Sequence, residues 1–321
     1  MRTIRRTGVV PPTLRATGPG GIRTAEWIAG YPANQDFKFY DYWNRTDVRG
    51  ALYASQGRVC AYCGCELQRG NRGDVDHFRP KAGIADDCYH LGYWWLTYEF
   101  ANYLLSCRTC NSTYKRNRFP LAQGADRIRF ENRELIAEEA RVLLDPCVDK
   151  LDELLRVDLA SVLVPVEPKL GLSEPMLTRV RETIAFFGIN DQPELTKARM
   201  SVVKKVAKAL ESGQPDRVRN LAIRYRPNSF VARYMLERNA PAALPTPAQE
   251  LEWLMRDMLR TLGLILRHRL VHDNERLQID QDELVWSFAF LLAEPPDGLL
   301  GMVRPFLVKH KIEPVVIEKN L

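Results

Sequence analysis

Apolar residues recur at helical spacing through most of the second half of the chain. Residues 173 to 187 keep that period up to Gly188, and 192 to 212 keep it up to Gly213, so each stretch predicts a helix with a glycine stop. In the second stretch Met200, Val203, Val206 and Leu210 fall opposite Lys197, Lys204, Lys205 and Lys208, an apolar stripe backed by a solvated basic face. "APAALPTPAQ", 240 to 249, breaks the period and ends in Thr246, Pro247 and Gln249, which predicts a capping box with proline at the first helical position. Behind it Leu251, Leu254, Met258, Leu262 and Ile265 keep one helix face apolar, and two further helices are expected over about 281 to 293 and 297 to 310. His268 and His272 stand four apart on the long helix with no third ligand nearby, so they are read as helix surface. One stretch departs from the helical rule: "LRVDLASVLVPVEP", 155 to 168, is a β-like apolar run closed by proline.

The front of the chain is patterned differently. Residues 1 to 24 hold Arg2, Arg5, Arg6, Arg15 and Arg23 with no acidic residue, and "GVVPP" and "GPGG" interrupt any helical period, so a basic, partly disordered arm is expected. The arm lacks the apolar core and cleavage site of a secretory signal, and no apolar run approaches the length of a bilayer span. A cytoplasmic protein with no membrane partner is the expectation. With 321 residues, 45% of them hydrophobic and 27% charged, the chain exceeds a usual single core. The predicted organisation is a lead-in over 1–45, a chemistry-bearing domain over 46–150 and a mainly helical region over 151–321. The fold class is α+β, mostly α. A formal charge of +6 favours a polyanionic partner only mildly.

Cysteine spacing changes the picture most. Cys60 and Cys63 form one C-x-x-C and Cys107 and Cys110 a second, and two such pairs make a four-thiolate zinc site when the chain returns on itself. A redox pair would need a strand running into a helix, whereas "GRVCAYCGCEL" runs into polar turn residues. Cys65, Cys88 and Cys147 remain over and are read as small buried hydrophobes, with Cys65 the one placed to substitute as a ligand. His90 is a lesser ligand candidate. Tyr93, Trp94, Trp95 and Tyr98 are read as core packing over the cysteine module in preference to base-stacking platforms.

Between the pairs stand "DVDHFRP" and then "YEFANYLLSCRTCNSTYKRNRFPL". Over residues 58 to 121 this resembles the HNH endonuclease family, whose ββα-metal motif carries a His at the end of a first strand, an Asn in the connection and a His or Asn on the helix. Those places fall on His77, Asn102 and Asn111, separated by 102 − 77 = 25 and 111 − 102 = 9 positions. "GYWWLTYEFANYLLSC", "RFPL" and "LLDPC" are similar to the subfamily found in retron and Septu-type bacterial defence systems. The resemblance implies a zinc-stabilised HNH module within a largely helical protein, acting as a phosphodiester hydrolase. Nucleic acid is the expected partner, DNA ahead of RNA, together with a partner ATPase that senses infection.

The chemistry follows from the residue types. His77 titrates near neutrality and is the natural general base toward water. Asp76 and Asn111 offer hard oxygens suited to Mg²⁺ or Mn²⁺, which stabilises the departing oxygen. Neighbouring side chains on a strand point to opposite faces, so Asp76 and His77 share a site only if the strand ends there, and Pro80 marks such an end. Asn102 is expected to hold the loop and the imidazole. Arg79, Lys81, Lys115, Arg116 and Arg118 are candidate nucleic-acid contacts. The rival reading is a catalytically silent, zinc-stabilised nucleic-acid-binding or scaffold protein.

Overall fold

The computed structural model describes residues 1–6, 8–67, 72–161, 164–239, 241, 244–269, 282–287 and 289–290. In chain order its helices and strands are α1 (Pro19–Gly30), α2 (Thr46–Gln56), β1 (Asp74–His77), β2 (Tyr103–Ser106), a π-helix (Thr109–Lys115), α3 (Leu151–Leu154), β3 (Leu155–Val157), β4 (Val166–Pro168), α4 (Glu174–Phe186), α5 (Pro193–Glu211), α6 (Pro215–Leu221), α7 (Ser229–Asn239) and α8 (Pro247–Arg269). This is an α+β chain dominated by helix. Two compact units share it: Met1–Ile4 with Arg58–Pro245, and Arg5–Gly57 with Thr246–Leu321.

The second of these contains α1, α2 and α8. Expectation fails at α1, where the arm was read as partly disordered. Pro19 takes the first helical position, which suits its fixed φ, and the glycines give close approach. A Cβ on Gly18 would stand 2.1 Å from the Pro12 carbonyl oxygen, and one on Gly21 would stand 2.2 Å from that of Arg15. The helix start therefore packs directly on the preceding turn, and glycines that looked like breakers are contact residues. Trp27 then meets Phe37 and Phe39 edge-on at 5.6 and 5.4 Å. At α8 the capping box forms in both directions: Thr246 N–H donates to Gln249 Oε1 at 2.9 Å, and Gln249 N–H donates to Thr246 Oγ1 at 3.3 Å. Leu254 and Met258 are buried, as their spacing requires. Residues 282–287 and 289–290 are helical, while the helix expected over 297–310, His272 and the side chain of His268 lie outside the described residues.

The other unit holds the cysteines. Residues on both sides of position 150 belong to it. β1 and β2 pair antiparallel, Asp74 opposite Ser106 and His77 opposite Tyr103, and the π-helix follows β2 within three residues. Tyr93, Trp94, Trp95 and Tyr98 are all buried, so they are core as expected. The β-like run over 155–168 resolves into a hairpin, β3 against β4. Both glycine stops are used, Gly188 at φ 54° and Gly213 at φ 62°, conformations that favour glycine. On α5 all four lysines are exposed and Val206 is buried. The tip of α4 reaches the cysteine module through Phe187, whose ring stacks on Tyr62 at 4.2 Å.

Candidate active site

A tight turn at Cys60–Cys63 and the start of the π-helix at Cys107–Cys110 bring four sulfurs together. The ligand atoms of Cys60, Cys63, Cys107 and Cys110 all lie within 4.8 Å of one another, and Cys60, Cys63 and Cys110 are buried. A tetrahedral centre with Zn–S near 2.3 Å spaces its sulfurs by about 3.8 Å. Cys63 and Cys107 stand 3.8 Å apart. The donor set fits zinc. Hydrogen bonding from the Cys110 thiol holds Cys107 down to about 4, the thiolate form that a metal takes. Among the described residues this is the cluster of three or more Cys, His, Asp or Glu side chains able to hold a metal. Cys65 is half-buried and is not one of the four mutually close sulfurs. The reading of the spare cysteines as buried filler is corrected: Cys88 is exposed and Cys147 half-buried, because both sit in turns, which run over the surface.

β1 presents two faces. Alternation sets Asp74 and Asp76 on one and Val75 and His77 on the other, and the hydrogen bonds follow it. On the acidic face Asn111 Nδ2 donates to Asp74 Oδ2 at 3.0 Å, and Lys115 Nζ donates to Asp76 Oδ1 at 3.1 Å and to the His77 carbonyl at 2.8 Å. The Tyr62 hydroxyl donates to Asp76 Oδ2. Burial pushes the Asp76 carboxyl up and the Lys115 ammonium down, and each charge opposes the other's shift.

On the opposite face His77 Nε2 donates to the Thr97 carbonyl at 3.0 Å, and Tyr103 donates its hydroxyl to the same oxygen. That bond fixes the tautomer: Nε2 carries the hydrogen and Nδ1 the lone pair. The ring packs edge-on against Tyr103 at 4.9 Å. Burial pushes the His77 pKa down to about 3, and Lys81 adds to the effect.

Asn102 closes the loop that leaves β1. Its Oδ1 accepts from Arg79 N–H at 2.8 Å and its Nδ2 donates to the Arg79 carbonyl at 3.0 Å. The loop half of its expected role has a partner here, while Thr97 and Tyr103 hold the imidazole. His90 has both ring nitrogens engaged, Nδ1 by Gly92 N–H and Nε2 by the Ile128 carbonyl, which leaves no donor for a metal.

The five cations expected at a phosphate differ widely. Lys115 is corrected outright as a surface contact: it is 0% exposed, because its chain runs inward to Asp76. Arg79 pairs with Glu139 at 2.9 Å and Arg118 lies over Phe186 at 4.4 Å, so both brace the interior. Lys81 is half-buried and Arg116 exposed. Two participants were not anticipated. Asp74 was legible, since the period of two in "DVDH" sets it beside Asp76. Tyr62, lying between two zinc-ligand cysteines, had no such signal.

No family model matches this chain, and no solved structure matches it. The chain is similar to the Septu protein PtuB of Bacillus mycoides (strain KBAB4), with 27% identity over 191 residues, 58% of this chain. The match covers 61% of that protein's own length. No helix among the described residues is long and apolar enough to cross a membrane.

Proposed function

We propose that this protein is a metal-dependent endonuclease of the HNH type, hydrolysing phosphodiester bonds of nucleic acid, DNA ahead of RNA, as the effector of a Septu-type anti-phage defence system. The observation that carries the reading is the acidic face of β1 set against a helix bearing Asn111, with the cysteine cluster alongside and His77 on the other face at the last position of the strand, where the strand's alternation ends. Asp76 and the side-chain oxygen of Asn111 are hard donors that would hold Mg²⁺ or Mn²⁺, with Asp74 adjacent. When bound, that ion supplies charge stabilisation to the departing oxygen. His77 supplies the base: its Nε2–H is committed to Thr97, so Nδ1 takes the proton from the attacking water. Burial lowers the His77 pKa to about 3, which keeps the ring neutral at pH 7 but makes it a weak base, so its role as base requires the site to admit water and let the pKa return toward its ordinary value. Asn102 fixes the loop after the strand, and Arg116 and Lys81 remain as phosphate contacts.

The defence role is supported by the similarity to a Septu protein, and we assign licensing of cleavage to a separate ATPase. A metal-dependent nicking assay with that partner present tests the reading. His77→Ala should lower the rate by roughly 10² to 10⁴-fold while binding persists. Equal rates for parent, His77→Ala, Asp76→Ala and Asn111→Ala would place cleavage elsewhere. The rival, a catalytically silent binder, draws on the pairing of Asp76 with Lys115, and predicts binding without nicking in every variant.

A further inference from the structure

Lys115 is a buried cation in direct contact with the carboxylate assigned to the catalytic metal. Its side chain is 0% exposed, and both of its hydrogen bonds run to β1, one to Asp76 Oδ1 and one to the carbonyl of His77. The other Asp76 oxygen receives the Tyr62 hydroxyl. Both oxygens are therefore occupied by the protein itself, one by a full positive charge. A divalent cation on Asp76 and an ammonium at 3.1 Å from it would be like charges crowded at one carboxylate.

We propose that Lys115 is a built-in stand-in for the divalent cation: it neutralises Asp76 in the resting chain, and cation and ammonium exclude one another there. The inference rests on the reading of Asp76 as a metal ligand and adds how that site is kept closed. The element carrying Lys115 suits such an exchange. Residues 109–115 form a π-helix, with Arg116 N–H donating to the Asn111 carbonyl at 2.7 Å, a rare wound form that concentrates at functional sites. It ends at Arg116 with φ 49°, backbone that favours glycine. Rewinding the part of this helix beyond Cys110 would carry Lys115 off Asp76 and off the His77 carbonyl while the cysteine cluster stays in place. Asn111 lies on the same turn, so one movement would release Asp76 from Lys115 and Asn111 from Asp74 together.

Mn²⁺ affinity of the zinc-loaded full chain, read by electron paramagnetic resonance, tests this without recourse to activity. Lys115→Gln keeps a hydrogen-bond donor and removes the charge, and should bind Mn²⁺ at least about tenfold more tightly than the parent, the scale on which a neighbouring like charge shifts an ionisation. Adding Asp76→Asn should abolish the gain. A gain that survives Asp76→Asn overturns the proposal. So does an unchanged or weakened Lys115→Gln when Asp76→Asn weakens binding in both backgrounds, an outcome that leaves Asp76 standing as a ligand. If Asp76→Asn changes nothing in either background, the metal reading of Asp76 falls and this inference falls with it. Should Lys115→Gln fail to fold, hydrogen exchange on the parent decides: saturating Mn²⁺ should speed exchange at the Arg116 amide, and unaltered exchange there overturns the proposal.

Discussion

At the cysteine cluster four soft donors already converge on one centre, whereas at β1 the hard donors are turned to protein partners. Cys63 and Cys107 stand at the separation that a tetrahedral zinc site requires. Asp76, by contrast, is held by Tyr62 and Lys115, and Asn111 by Asp74. On the proposed function, the difference separates two uses of a metal. A structural site contributes folding energy and is closed by its ligands. A site meant for substrate has to open, and until then its buried charge needs a counter-charge from the chain. Tyr62 joins the two, since it lies between two cluster cysteines and donates to Asp76.

Removing zinc strains this contrast hardest. Cys107→Ser or strong chelation should abolish cooperative thermal unfolding of the cysteine module, because apparent zinc binding of roughly 10–16 kcal/mol is folding energy in such sites. Elemental analysis should find about one zinc per chain in the parent. A zinc-free protein with an unchanged melting curve would remove the structural half of the comparison.

The next effect lies at the buried pair. Asp76→Ala leaves the Lys115 ammonium without its carboxylate, and should cost about 3–5 kcal/mol in denaturant titration. Burial of both partners makes this a cost in stability as well as in metal binding. Asp76→Ala with Lys115→Met should recover much of the loss, and zinc content should hold in both. A cycle showing strict additivity would mean that the pair carries no coupling.

Acid probes the other face of β1. The His77 pKa is about 3 in the folded chain and near 6.5 when unfolded, so below 6.5 the unfolded state binds the extra proton. Stability from this group is complete above pH 6.5 and is lost as pH falls toward 3, by about 2 kcal/mol at pH 5. His77→Gln should flatten the fall in melting temperature between pH 7.5 and pH 5, and an equally steep fall would show that the ring is hydrated in solution. The smallest effect belongs to Arg116, which is exposed. Arg116→Ala should move stability by no more than about 0.5 kcal/mol. It should reduce the salt slope of nucleic-acid binding by about 1 if it meets a phosphate.

Much of this was legible in local spacing. Two C-x-x-C pairs announced the cluster, "DVDH" the strand and its alternating faces, and Thr246, Pro247 and Gln249 the start of α8. Each signal acts over a few residues, where covalent geometry leaves little choice. The errors arose where the partner lies far along the chain. Lys115, from its neighbours Arg116 and Arg118, reads as part of a surface run, and becomes a buried ion only because Asp76, 39 positions away, is folded beneath it. Gly18 and Gly21 read as helix breakers until the preceding turn presses against them.

The sequence by itself determined which groups are present and at what period: four thiols in two knuckles, two acids on one strand face, an imidazole on the other. Only the tertiary structure decided which of them are charged, exposed or occupied. Burial sets the energy of a charge, and burial depends on the whole surrounding fold. Tyr62 and Lys115 on Asp76 and the His77 ring on Thr97 are all contacts made across at least 14 positions of chain.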